Sequence, residues 1–191
     1  MSQREDLLAG AKRCLAEKGY GKTTARDIAA VSGAHLASIG YHFGSKDRLM
    51  NTAVLEATSE WGDVLTRLVR ESSSAAAPEE RIRAVLTSLF EAVPAHRDLM
   101  VSSVQAFAQV QFDDETRAAL ADGIEGAREE LAALLLGVAP EELDADTVAG
   151  LGSMLYNIVT GYVLQYLVSP EHMPTVDQAV AGIRALLPPP P

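Results

Sequence analysis

The sequence predicts an all-α fold, with an N-terminal three-helix helix-turn-helix unit joined to a longer helical body. Three observations carry this. Ala and Leu dominate a chain of 191 residues that is 48% hydrophobic and 22% charged, the balance of a folded globular protein rich in strong helix formers. Apolar residues recur at helical spacing, and no stretch of useful length alternates with period two. Gly and Pro punctuation is widely spaced, leaving room for helices between the breaks.

The elements follow in order. Residues 3–18 set Leu7, Leu8, Ala11, Cys14 and Leu15 on one stripe that stops at Gly19. Thr24 and Asp27 form a capping-box pattern that starts a short second helix, and Gly33 ends it. A third helix of about two turns is expected from His35 to Phe43, stopped by Gly44. Ser45 caps the fourth, with Asp47 where the helix dipole favours an acid. That helix is expected to reach Glu71 through Leu49, Val54, Leu55, Trp61, Leu65 and Leu68. "SSSAAAP" reads as a loop whose Pro78 opens the next helix. Further helices are expected near 79–93, 96–110, 114–136, 146–168 and 176–187, with breaks at Pro94, Asp113-Asp114, residues 137–140 and residues 170–174. Thr175 and Gln178 make another capping box. The domain boundaries read from this are 1–50 for the helix-turn-helix unit, 51–187 for the helical body and 188–191 for an extended proline tail.

Charge divides the chain the same way. The net charge of −10 hides a head, residues 1–50, with eight Lys or Arg against five Asp or Glu; the remainder has eight Arg, no Lys and 21 acids. A basic head on an acidic body fits a head that meets a polyanion and a body that stays off it. Cys14 is the one cysteine, which excludes an internal disulfide and any cysteine-built metal site, and its helical spacing marks it as a buried small hydrophobe. Charges within "MSQREDLLAGAKRC" are unlike an export signal, so a cytoplasmic protein is expected. His96 and His172 have no second histidine at metal spacing and no glycine-rich phosphate loop is present. No enzyme, metal or cofactor is expected.

Residues 147–170 contain no charge and are long enough to span a membrane. Ser153, Asn157, Thr160, Gln165 and three glycines, with no basic flank, argue against that. The expectation is a helix facing its own core on one side and a partner subunit on the other.

Within the head, Ile28, Ala29, Val31, Ile39 and Phe43 are placed to form a small core with Leu8 and Leu15, Ala29 allowing close helix approach. The outward face of the third helix is then Leu36, Ala37, Ser38, Gly40, Tyr41 and His42, with no acid from Gly33 through Ser45. Small and hydrogen-bonding residues suit entry into a major groove about 12 Å wide between walls of phosphate. Thr24, Tyr41, His42 and Lys46 are the expected phosphate contacts, and Leu36, Ala37, Ser38 and Tyr41 the base-edge readers, by a hydroxyl hydrogen bond or by contact with thymine methyls. A surface helical hairpin is the other reading of spacing alone.

The stretch "KTTARDIAAVSGAHLASIGYHFGSKDRLM" resembles the DNA-binding signature of TetR-family transcriptional regulators, through Thr23-Thr24, Asp27-Ile28-Ala29, Gly33, Tyr41-His42-Phe43, Ser45-Lys46-Asp47 and Leu49. The resemblance implies a homodimer that binds a palindromic operator on double-stranded DNA through an N-terminal domain. It also implies a C-terminal domain for ligand binding and dimerisation, and most such proteins are repressors released by a small molecule. Carried over by position, Thr24, Ser38, Tyr41, His42 and Lys46 become DNA contacts. Two residues depart from the pattern: His35 stands where a Ser or Thr cap is usual, and Gly40 where an aromatic is common. His35 is read as a further, proton-dependent phosphate contact.

In the body, apolar side chains with a few polar ones mark a pocket. Trp61, Phe90, Met100, Phe107, Tyr156 and Asn157 are the effector-binding candidates, with Gln105, Gln109 and Thr160 as further polar ones. The absence of concentrated charge points to a lipophilic or neutral effector. Leu151, Leu155, Ile158, Leu164, Leu167, Val180, Ile183 and Leu187 are the expected two-fold interface of the last two helices. The competing reading is a helical ligand carrier or interaction protein that keeps the fold without sequence-specific DNA binding.

Overall fold

The structure, a computed structural model, describes residues 2–71 and 77–185. Ten α-helices make up the described chain, with no strand among the described residues. Packing divides it into two compact units, one formed by residues 1–61 with 98–122, the other by 62–97 with 123–191. The first unit therefore takes in more than the first 50 residues, because a segment from mid-chain packs with the N-terminal helices. The "SSSAA" part of the loop and the proline tail lie outside the described residues.

In the first unit, α1 (Gln3–Lys18) starts in a capping box between Ser2 and Glu5 and ends at Gly19. α2 (Ala25–Ser32) and α3 (Ala37–Phe43) follow, then α4 (Lys46–Glu71), whose residues up to Trp61 belong here. α6 (Arg97–Gln109) and the start of α7 (Asp114–Leu136) complete the unit. Leu7, Leu15, Ile28, Leu49, Met50 and Val54 are fully buried, with Ile39, Ala106 and Leu120 in the same core and Val31 and Phe43 packed against it. Cys14 is buried as expected, and burial pushes its thiol pKa up. α1 approaches α2 closely at Gly10, where a Cβ would lie 2.8 Å from Ser32 Cβ.

The second unit holds α5 (Pro78–Ala95), the rest of α7, and a continuous helix Ala145–Val168 made of α8 (Ala145–Thr147), a π turn (Val148–Gly152) and α9 (Ser153–Val168). α10 (Val176–Ala185) packs on α5 through Leu86, Ala179 and Val180, with Ile82, Phe90, Tyr162 and Ile183 around them. Arg184 Nε donates to Glu79 Oε2 at 2.8 Å, and Arg83 pairs with Asp177 across the same two helices. Exposed pairs contribute at most ~1 kcal/mol each, so the apolar contact carries most of this packing. At the π turn a Cβ on Gly152 would meet the Arg128 carbonyl oxygen at 2.6 Å, a spacing that only glycine allows.

Two boundaries move. α5 runs through Pro94 to Ala95 instead of breaking there. A proline loses one hydrogen bond to the preceding turn, and so near the terminus the helix still closes, with His96 N donating to Ala92 O at 3.0 Å. α3 begins at Ala37, two residues late, because His35 supplies a backbone carbonyl to Ser38 N (2.9 Å) and no side-chain cap.

Candidate nucleic-acid interface

The interface is built on α2, α3 and the first turn of α4. Thr24 caps α2 as a hub: its Oγ1 accepts from Asp27 N at 3.2 Å, and its own N–H donates to Asp27 Oδ2 at 2.9 Å. Lys18 Nζ donates to Asp27 Oδ1 at 2.6 Å. That hydrogen bond, followed by those from Thr24, holds the Asp27 carboxyl far below the usual carboxylate range. The Asp27 carboxylate is thus tied to its own cap and to a lysine.

Gly33, left-handed at φ 71°, turns the chain after α2, a conformation that costs other residues energy. Ile39 anchors α3 in the core, and this fixes which residues face outward. Tyr41 is 86% and Leu36 48% exposed, with His35, Ala37 and Gly40 also exposed and Ser38 and His42 half-buried. The His42 ring stands edge-on to Tyr41, centroids 4.8 Å apart. α4 then opens on Ser45, whose Oγ accepts from Arg48 N at 3.1 Å. Lys46 is half-buried: its Nζ donates to the Thr23 carbonyl at 3.4 Å, lies 3.0 Å from Asp47 Oδ1 and sits 5.6 Å over the Tyr20 ring.

All eight candidate DNA contacts, Thr24, His35, Leu36, Ala37, Ser38, Tyr41, His42 and Lys46, therefore stand on consecutive elements of one compact unit. Sequence reasoning passes over Arg4, whose guanidinium lies 5.1 Å from the Phe43 ring centroid at the end of α3. No local spacing signals a contact across 39 positions. Exposed Lys22, Arg26 and Arg48 add positive charge to the same elements, and their charge alone is the signal a sequence offers.

Comparison with known proteins agrees with this arrangement. A family model described as "Bacterial regulatory proteins, tetR family" matches residues 7–53. A second, "BetI-type transcriptional repressor, C-terminal", matches residues 78–188, more than half of the chain. The chain belongs to the TetR family. It is 33% identical over 100 residues to the HTH-type transcriptional repressor KstR2 of Mycobacterium tuberculosis, a match covering 52% of this chain and 48% of that one. It is 32% identical over 65 residues to the repressor AcnR of Corynebacterium glutamicum, covering 34% and 35% respectively. The chain thus spans between a third and a half of the length of these relatives. A transcriptional regulator structure from Rhodococcus sp. RHA1 superposes with a TM-score of 0.69 over 98% of this chain and 95% of that one, at 21% identity, which shows a shared fold.

The other candidates of this TetR-family chain distribute as follows. Trp61 and Met100 are buried and Phe107 is exposed in the first unit; Phe90, Tyr156 and Asn157 lie in the second. Phe90 meets Tyr162 edge-on at 5.1 Å. None of the six lines the cavity of about 30 Å³ in the second unit, whose walls are entirely aliphatic and include Leu86, Leu131, Leu134 and Val159. Leu155, Ile158 and Ile183, read from sequence as interface residues, line that cavity. Val180 is buried against α5, and Leu187 lies outside the described residues. Leu151 and Leu167 are half-buried, and Leu164 is exposed. Gln105, read as a pocket residue, instead holds the α1–α2 turn: its Oε1 accepts from Tyr20 N at 2.6 Å and its Nε2 donates to Leu15 O at 3.3 Å.

Proposed function

We propose that the chain is a DNA-binding transcriptional regulator. In this reading it is a homodimeric repressor that holds a palindromic operator through residues 1–50 and is released when a lipophilic or neutral small molecule enters the body, residues 51–187. The observation that carries the reading is the outer face of α3: exposed, acid-free and flanked by Thr24 and Lys46 on the neighbouring helices. A helix docked in the major groove needs this combination.

Support for the dimer comes from α9. Met154, Asn157, Gly161, Leu164 and Val168 are all exposed and follow a seven-residue spacing, the pattern of a helix–helix seam. Only 28% of the most apolar window of the Ala145–Val168 helix is buried. Length and composition alone would also suit a membrane, but Asn157 and Gln165 on the exposed side fit a protein partner better than lipid. The aliphatic cavity of about 30 Å³ supports a lipophilic effector, admitted by widening.

Selection from a random duplex pool at physiological salt tests the DNA reading. The expected result is an inverted repeat with half-sites about 34–36 Å apart. The Tyr41→Ala, Lys46→Ala double variant should bind the recovered site more weakly and with a shallower salt slope, by roughly one unit for each phosphate no longer neutralised. An unchanged slope and affinity would show that other residues touch the DNA.

A further inference from the structure

From Gly33 through Ser45 the chain contains no Lys, Arg, Asn, Gln, Asp or Glu. Bidentate recognition of guanine or adenine, and acceptance from cytosine, need one of those side chains. α3 therefore lacks the usual means of reading a base by paired hydrogen bonds. Its remaining polar side chains, the half-buried Ser38 and His42 and the exposed Tyr41 hydroxyl, with His35 exposed just before the helix, offer single hydrogen bonds and no bidentate pair.

What the helix does present is apolar. Leu36 is about half exposed at the start of α3. Ala37 is exposed beside it, and Gly40, one turn on, leaves open space where a side chain would stand, nothing lying within 4 Å of a Cβ there. The ring of Tyr41 completes the patch, 86% exposed. In the major groove the one apolar group on the base edges is the thymine 5-methyl.

We infer a readout by thymine methyls: Leu36, Ala37 and the Tyr41 ring select half-sites through apolar contact with two or more thymines, while cations on the flanks hold the phosphates. This rests on the DNA-binding reading above and adds its specificity. Leu36 is the principal specificity-determining residue, the one large aliphatic side chain that this patch exposes.

Deoxyuridine differs from thymidine only by that methyl. In the operator recovered from the duplex pool, each thymine is replaced singly by deoxyuridine and the affinity of the wild-type protein is measured at fixed salt. A loss of about fourfold is expected at two or more positions of each half-site, the worth of one buried methyl-sized group. Leu36→Ala should abolish the loss at one of those positions while leaving the salt slope unchanged. Less than twofold change at every thymine overturns the inference and leaves DNA binding standing. So does a Leu36→Ala protein with the wild-type pattern of uracil sensitivity. A pool from which no duplex is enriched overturns the DNA-binding reading, and this one with it.

Discussion

Gly10 and Gly40 are both helical, both in the N-terminal unit, and their substitution by alanine should have opposite effects. At Gly10 a Cβ would stand 2.8 Å from Ser32 Cβ and 3.1 Å from Ser32 N, so α2 must shift away from α1. Overpacking of this kind costs ~1–3 kcal/mol, and Gly10→Ala should lower the denaturation midpoint accordingly. At Gly40 nothing lies within 4 Å, and alanine gains up to ~1 kcal/mol of helix propensity; Gly40→Ala should raise the midpoint of the free protein. Urea titrations of the two variants beside the wild type decide both signs. The difference also marks what a sequence makes legible at this scale. Gly33 and Gly44 are readable because each ends an apolar run within a few residues. Gly10 is not, since its reason lies 22 positions away in Ser32.

At the scale of elements, α1, α2, α4, α7 and the capping boxes at Thr24 and Thr175 are legible because periodicity and caps are local. The start of α3 is not, since it depends on a His35 backbone carbonyl and not on any side chain. Nor is the role of α6 in holding the helix-turn-helix. Gln105 accepts from the Tyr20 N–H just past the end of α1 and adds a second donor to the Leu15 carbonyl, which already takes the Gly19 N–H that closes the helix. Tyr20 is fixed again at its ring end, its hydroxyl donating to Asn51 Oδ1 at 2.7 Å. Removing one side of such a bridge leaves a partly buried amide without its acceptor, at a cost of ~1–3 kcal/mol. Gln105→Ala should destabilise the protein by this amount. Amide hydrogen exchange should quicken first at Tyr20 and along the α1–α2 turn, with α5 and α10 unaffected. Uniform exchange across both units would show instead that Gln105 contributes only general packing.

The acidic body limits how the whole molecule can meet DNA. Residues 51–191 hold eight Arg against 21 acids and repel phosphate, so affinity must come from the small basic head, and one head offers few phosphate contacts. Pairing two heads through the body raises the effective concentration of the second by orders of magnitude once the first is bound. The exposed stripe on α9 is the surface proposed for that pairing, and its chemistry makes the test direct. Leu164 is 43% and Val168 83% exposed, so a charge placed at Leu164 disturbs little inside the unit but faces a like charge across a two-fold axis. Leu164→Glu should sediment as a 20.3 kDa species where the wild type sediments at twice that mass, retain its helical circular dichroism, and lose operator affinity by on the order of 100-fold. A wild-type protein that sediments as a monomer at micromolar concentration refutes the dimer itself. A Leu164→Glu protein that stays dimeric moves the interface off this face of α9, onto residues whose exposure has some other partner.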